Sequence, residues 1–92
     1  MIARRYRVIG IVQGVGFRAF VSRVAQALAL SGWVRNLDDG SVEAWAEGPP
    51  EAIATFAARL LRGPSGARVE RFETFEADPS GARGFEIRSS GR

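Results

Sequence analysis

The chain has 92 residues, 46% of them hydrophobic and 25% charged, which indicates one folded globular domain spanning residues 1–92 and excludes a disordered chain. It has no cysteine, which excludes disulfides and thiol catalysis, and no histidine, which removes the most common general base and metal ligand. The net charge of +3 suits an anionic small molecule as well as it suits weak contact with nucleic acid.

The same features guide what we expect of location and partners. No apolar run approaches the ~20 residues of a membrane helix, and residues 1–5 lack the apolar region of a secretory signal. The absence of cysteine is compatible with a reducing compartment. We therefore expect a cytoplasmic protein that does not bind membranes and has no metal or cofactor. We also expect a monomer, although no pattern in the sequence decides the oligomeric state.

A strand, a glycine-containing loop and a helix are predicted first. Residues 5–12 alternate imperfectly and carry apolar side chains on both faces, which is typical of a central strand. The loop follows at residues 13–16. Residues 17–30 place apolar side chains at spacings of three and four, which predicts a helix that ends at Ser31-Gly32.

A hairpin and a second helix follow. Residues 33–37 and 41–47 have the pattern of two strands, and the Asp-Gly pair between them readily forms a tight turn. The Gly-Pro-Pro segment at 48–50 ends the second strand and is a good helix opening. The helical apolar period then continues to Arg62.

The last third of the chain completes the fold prediction. In the strand predicted over residues 67–77, Val69 and Phe72 cannot share a face without a bulge. A short strand is predicted at 85–87, and residues 89–92 form a polar end that we expect to fray. The order β-α-β-β-α-β, with one extra strand, predicts an α+β ferredoxin-like sandwich, in which two helices cover one face of an antiparallel sheet.

The loop between the first strand and the first helix is the strongest functional signal. Its backbone N–H groups, at the positive end of the helix dipole, favour an anion, and its glycines let the anion approach closely. An arginine at the loop's end offers a fork of donors suited to phosphate. A plain turn is the simpler alternative. We predict a phosphate-binding loop formed by Gln13, Gly14, Val15, Gly16, Phe17 and Arg18.

Asn36 is the second candidate. It is the only asparagine of the chain, and asparagine is disfavoured inside a strand. Its carboxamide carries donors and an acceptor, so it can hold a water while it bonds to a second group. The simpler alternative is a strand-end residue that bonds to neighbouring backbone.

Two long motifs resemble those of a known family, the acylphosphatases. The stretch Gly10-Ile11-Val12-Gln13-Gly14-Val15-Gly16-Phe17-Arg18 is similar to the first signature of that family. The second signature is resembled by Gly32-Trp33-Val34-Arg35-Asn36, followed by Asp39-Gly40-Ser41-Val42 and Glu47-Gly48-Pro49. The resemblance covers nearly the whole chain. It implies an enzyme that hydrolyses the carboxyl–phosphate bond of an acyl phosphate, without a metal, to a carboxylate and inorganic phosphate.

The resemblance also implies roles for individual residues. In acylphosphatases the arginine of the first motif binds the phosphate and the asparagine of the second positions the attacking water, and these match Arg18 and Asn36. Two positions depart from the pattern: Ile11 stands where the family often has a basic residue, and Leu37 where some members have a small hydroxyl residue. Neither is a principal catalytic position; they concern substrate entry and water ordering.

Three other interpretations fit parts of the sequence. The spacing of Gly14, Gly16 and Ala19 also fits a dinucleotide-binding fingerprint, with Asp38 about 20 residues onward, but that fingerprint needs parallel βαβ units. RNA-recognition domains share the predicted topology, yet residues 41–47 lack their aromatic motif and carry two glutamates. A third interpretation is a domain that resembles the acylphosphatase-like part of hydrogenase-maturation carbamoyltransferases. It is disfavoured because those enzymes are far longer chains. We therefore expect a small-molecule acyl phosphate as partner and no nucleic acid.

Overall fold

A computed structural model describes residues 1–91, and seven elements follow one another along the chain. The predicted β-α-β-β-α-β order is confirmed, with the extra strand at the end. The elements are β1 (Ile2–Ile11), α1 (Phe17–Ala27), β2 (Ser31–Asn36), β3 (Val42–Gly48), α2 (Pro50–Arg62), β4 (Arg68–Ala77) and β5 (Phe85–Ile87). No helix among residues 1–91 is long and apolar enough to cross a membrane.

The five strands form one sheet in the order β4-β1-β3-β2-β5. The first four pair antiparallel, as predicted, but β5 pairs parallel to β2, so the sheet is mixed. The reason is the connection from β4 to β5, which crosses from one edge of the sheet to the other. It contacts the end of β3 on the way, where the Ser80 N–H donates to Glu47 Oε2 at 2.8 Å. This crossing brings β5 beside β2 in the same direction.

The apolar core lies between the sheet and the two helices. Side chains from one face of β1, β2 and β3 meet the apolar faces of α1 and α2. Aromatic rings link the layers: the Tyr6 and Phe56 ring centroids are 5.7 Å apart, and those of Phe56 and Phe85 are 6.1 Å apart. Removing Tyr6, Phe56 and their neighbours from water is the main force that holds the helices on the sheet.

The opposite face of the sheet carries arginines that are paired with carboxylates. Glu43, only 8% exposed, accepts hydrogen bonds from Arg5 at 3.0 Å and Arg35 at 2.7 Å. In the β2–β3 turn, hydrogen bonds from Ser41 and from the guanidinium of Arg7 lower the pKa of Asp39 from 3.8 to about 2. Opposite charges at this density largely neutralise one another across the face.

Two local predictions have different outcomes. The bulge predicted in β4 is confirmed: Ile9 faces Arg71 while Gly10 faces Val69, so Glu70 is an extra residue.

The predicted end of α1 is wrong, because the helix stops at Ala27 and not at residue 30. Ala29 takes a positive φ of 54°, and the Leu30 N–H donates to the Ala25 carbonyl, which closes the helix and turns Leu30 into the core.

The end of the chain is more ordered than predicted. The Gly91 N–H donates to the Asn36 carbonyl at 2.7 Å, and the Asp38 N–H donates to the Gly91 carbonyl at 3.0 Å. Gly91 thus forms an isolated parallel bridge with Leu37, beyond the end of β5, instead of fraying. Position 92 of the predicted frayed end lies outside the described residues.

Candidate active site

The predicted site residues meet at the end of the sheet where β1 and β2 finish. A cavity of about 240 Å³ lies there. Its lining combines the glycine loop, the first turn of α1, the last residue of β2 and the last residue of β5. The lining residues are Val12, Gln13, Gly14, Gly16, Phe17, Arg18, Ala19, Asn36 and Ile87.

The glycine loop has the backbone conformation that its sequence requires. Gly14 and Gly16 have φ angles of 75° and 76°, in the left-handed region that other residues resist. Gly16 is the N-cap of α1, and the first helical hydrogen bond runs from the Phe20 N–H to the Gly16 carbonyl at 3.1 Å. The N–H groups of residues 17–19 therefore have no acceptor within the helix, and these residues line the cavity.

Two loop residues anchor the loop with their side chains. Phe17 is 2% exposed, and its ring packs at 6.0 Å from that of Phe20. Val15 is not among the lining residues; its side chain packs against the core, beside Gly66. Of the predicted loop, Val15 therefore has its side chain turned away from the cavity.

Arg18 brings the positive charge of the site. Its Nη1 donates to the Arg88 carbonyl at 3.4 Å, which is a long contact with a backbone acceptor. Within residues 1–91 Arg18 forms no ion pair, whereas Arg5, Arg7 and Arg35 each contact a carboxylate. The guanidinium of Arg18 is thus available to an anion in the cavity.

Asn36 also lines this cavity. It is the last residue of β2, paired with Val42 of β3, and its carbonyl accepts the hydrogen bond from Gly91. Its backbone is therefore fixed from both neighbouring segments at the wall of the cavity. The structure brings Arg18 and Asn36, which lie 18 positions apart in sequence, to one site.

Two features of the site were not predicted. The side chain of Gln13 reaches across to the β2–β3 hairpin, where its Nε2 donates to the carbonyls of Leu37 at 2.8 Å and Ser41 at 2.9 Å. Ile87 contributes an apolar wall and remains 49% exposed. Only the parallel pairing of β5 with β2 brings Ile87 to the cavity, and its short apolar alternation is the one sequence signal that could have pointed there.

Comparisons with known proteins agree on one family. A family model described as Acylphosphatase matches residues 4–87. The acylphosphatase of Moorella thermoacetica is 47% identical over 90 residues, which cover 98% of this chain and 97% of that protein. The crystal structure of acylphosphatase from Bacillus subtilis has a TM-score of 0.92 and 41% identity, with 95% of this chain and 98% of that chain covered. Full-length HypF in its phosphate- and nucleotide-bound form has a TM-score of 0.88 and 33% identity, but only 12% of that chain is covered.

Proposed function

The chain belongs to the acylphosphatase family of enzymes, and from that premise we propose that it hydrolyses acyl phosphates to a carboxylate and inorganic phosphate. The observation that carries the proposal is the convergence of a glycine loop, an uncommitted guanidinium and an asparagine on one cavity. Each of these groups suits one part of an acyl phosphate or of the attacking water.

The phosphoryl group is held by the loop in this proposal. The free N–H groups at the start of α1 point their partial positive charge at its oxygens, and the Arg18 fork binds two of them. Charge on these oxygens is redistributed as the bond to the leaving group breaks, so donors fixed in advance lower the barrier. Binding in this way also orients the phosphorus atom toward Asn36.

The water is held by Asn36, and its oxygen attacks phosphorus in line with the leaving group. A new P–O bond forms, the P–O bond to the acyl group breaks, and the carboxylate departs with the electron pair. The water's spare proton passes to a phosphate oxygen, which yields a carboxylate and dihydrogen phosphate. Because a carboxylate is a weakly basic leaving group, no protein acid is required.

We propose that the reaction needs no metal. Arg18 and the helix start supply the positive charge that a metal ion would otherwise bring to the phosphoryl oxygens. Turnover of benzoyl phosphate is expected to stay unchanged when a chelator such as EDTA is added. A loss of activity that added Mg²⁺ restores would contradict this part of the proposal.

The direct test is turnover of benzoyl phosphate by two variants. Arg18→Ala is expected to raise KM and to lower kcat by about 10²–10³, the usual effect of losing one transition-state donor. Asn36→Ala is expected to lower kcat by about 10² with little change in KM, because its water matters only in the chemical step.

The matched control is Arg23→Ala, which removes the same charge from an exposed position of α1. Its kinetics are expected to equal those of the wild type. Arg18→Lys keeps the charge without the fork, so partial activity is expected. Wild-type rates in Arg18→Ala or Asn36→Ala would rule out this mechanism.

RNA binding is an alternative function that one observation favours, and it would use the face of the sheet opposite the two helices. Trp33 and Trp45 are directly paired there, and Phe75 lies on the same face. The Arg35 guanidinium, however, covers the Trp33 ring at 5.2 Å, and Arg5 covers Phe75 at 4.1 Å. These rings are already stacked, and the arginines are already paired with carboxylates. We therefore propose that the chain has no nucleic-acid partner, which a salt-dependent affinity for single-stranded RNA would contradict.

We also propose that the enzyme acts as a monomer. The groups assigned to phosphate and to water all come from one chain, so the proposed chemistry needs no second copy. Sedimentation at the concentration of the activity assay is expected to give a single species of about 10.0 kDa. A stable dimer whose dissociation abolishes turnover would contradict the monomer.

A further inference from the structure

Gln13 differs from the other residues of the loop, because its side chain is fully engaged with another part of the chain. Both hydrogens of its Nε2 amide have acceptors: the Leu37 carbonyl at 2.8 Å and the Ser41 carbonyl at 2.9 Å. These distances are typical of good hydrogen bonds. A carboxamide offers two N–H donors, and both are used on the hairpin.

The two carbonyls close the end of the β2–β3 hairpin. The Leu37 N–H donates to the Ser41 carbonyl at 2.9 Å, so these two residues form the last rung before the turn. Ser41 is 2% exposed, and its carbonyl accepts from both the Leu37 N–H and the Gln13 amide. The amide of Gln13 therefore joins the glycine loop to this rung.

Asn36 is the residue directly before the rung. Its strand is held by β3 on one side and by Gly91 on the other. Val42 of β3 pairs with Asn36 and also with β1, so this contact holds Asn36 relative to the strand before the loop but does not reach the loop itself. The bridge through Gln13 reaches the loop directly, because it connects the residue before Gly14 with the residue after Asn36. It is therefore the contact placed to affect the distance between the Asn36 carboxamide and the N–H groups of the loop.

We propose that Gln13 is a positioning residue that sets the distance between the water held by Asn36 and the phosphoryl group held by the loop. The inference rests on the proposed function and goes beyond its two catalytic residues. Gln13 acts through the backbone of Leu37 and Ser41, and its amide donates nothing to the substrate. Displacing a reacting group by about 1 Å costs roughly 10²-fold in rate, so the bridge is expected to affect catalysis strongly.

The experiment begins with Gln13→Met, which keeps the length and neutrality of the side chain and removes both donors. With benzoyl phosphate, kcat is expected to fall about 10²-fold, whereas the inhibition constant of inorganic phosphate stays within about threefold of the wild type. Gln26→Met is the matched control, because in the part of the chain that the structure describes the Gln26 amide bonds only to Ser22, a neighbour within α1. Equal losses in kcat and phosphate affinity would overturn the inference, since they would mean that the loop itself has collapsed.

A double-mutant cycle tests whether Gln13 acts through Asn36. In an Asn36→Ala background, Gln13→Met is expected to lower kcat less than threefold further, because there is no longer a positioned water to displace. The same 10²-fold loss in both backgrounds would overturn the inference. If Gln13→Met fails to fold, Gln13→Asn keeps the donors on a shorter stem, and the cycle is run with it.

One readout does not depend on activity. Asn36, Gln13 and Gln26 are the only side-chain amides, so the Asn36 carboxamide gives an isolated pair of NMR signals. Gln13→Met is expected to shift that pair, and Gln26→Met to leave it unchanged. If the wild type does not hydrolyse benzoyl phosphate, the proposed function fails, and an Asn36 pair that is unchanged in Gln13→Met overturns the positioning role separately.

Discussion

The two helices of this chain begin in opposite ways. Helix α1 starts after Gly16, with no side-chain cap and no acidic residue in its first turn. Helix α2 starts after Pro49, has Pro50 at its first position, where the missing N–H removes a donor, and carries Glu51 in its first turn. A carboxylate there offsets the positive end of the helix dipole.

The difference separates a structural helix start from one that is left ready for a ligand. Neither helix has a side-chain cap, but in α2 Pro50 removes one exposed donor and Glu51 offsets the positive charge of the helix start. In α1 the donors stay free, and Arg18 adds a full positive charge beside them instead of a negative one. Both helices pack against the same sheet, so packing alone does not explain the contrast. The proposed binding of an anion at the start of α1 would explain it.

The largest effect is expected when the first turn of α1 is given a carboxylate like that in the first turn of α2. Ala19 is exposed and lines the cavity, so Ala19→Glu places a negative charge there without disturbing the core. Repulsion of the phosphoryl group and loss of the positive helix end are expected to raise KM for benzoyl phosphate about tenfold, or about 1.4 kcal/mol. The inhibition constant of inorganic phosphate is expected to rise in parallel.

The control for this charge is Ala54→Glu. It adds the same side chain at an exposed position of α2, remote from the cavity. Its KM is expected to match that of the wild type. If Ala19→Glu also leaves KM unchanged, the start of α1 does not bind the substrate.

A smaller effect is expected from the N-cap residues themselves. Gly16 has a φ of 76° and ψ of 22°, so Gly16→Ala forces a side chain into the left-handed region and is expected to cost about 1 kcal/mol of unfolding free energy. Pro49 has an ordinary extended conformation (φ −61°, ψ 145°), which alanine also adopts. Urea denaturation is expected to show a smaller loss for Pro49→Ala, chiefly through the unfolded chain. Equal losses would mean that the left-handed N-cap is not a special feature of α1.

The smallest effect is expected on stability, from an arginine that, unlike Arg18, is paired with a carboxylate. The pKa of Asp39 is about 2 in the folded chain, lowered by Ser41 and then by Arg7. A lowered pKa stabilises the fold above its unfolded value of 3.8, and this contribution disappears as the pH falls toward 2. Asp39→Asn is therefore expected to melt slightly below the wild type at pH 6, with the two Tm values converging near pH 2. A difference in Tm that stays constant from pH 6 to pH 2 would contradict the lowered pKa of Asp39.

The sequence predicted the fold well where local pattern and chain order suffice. The order of strands and helices, the hairpin around residues 38–40 and the bulge between Val69 and Phe72 all follow from side-chain alternation and turn chemistry. The glycine loop was predictable because its backbone requirements are local, and its glycines do have positive φ angles.

The remaining features depend on contacts between distant segments. Ala29 closes α1 in a conformation that alanine disfavours, and only the burial of Leu30 explains it. The bridge from Gln13 spans 24 positions to Leu37, and its partners are backbone carbonyls that leave no mark on the sequence. Ile87 reaches the cavity only because β5 crosses to the far edge of the sheet.

Within residues 1–91, the one hydrogen bond of the Arg18 side chain is the long contact with the Arg88 carbonyl, and this has a consequence for turnover. A guanidinium held by one 3.4 Å contact keeps much of its rotational freedom, and binding an anion takes that freedom away. Ordering such a side chain opposes binding by about 0.5–1.5 kcal/mol. In the proposed mechanism, substrate and released phosphate would both meet this penalty, so the product would dissociate more readily than from a rigid guanidinium and would leave the cavity free for the next cycle.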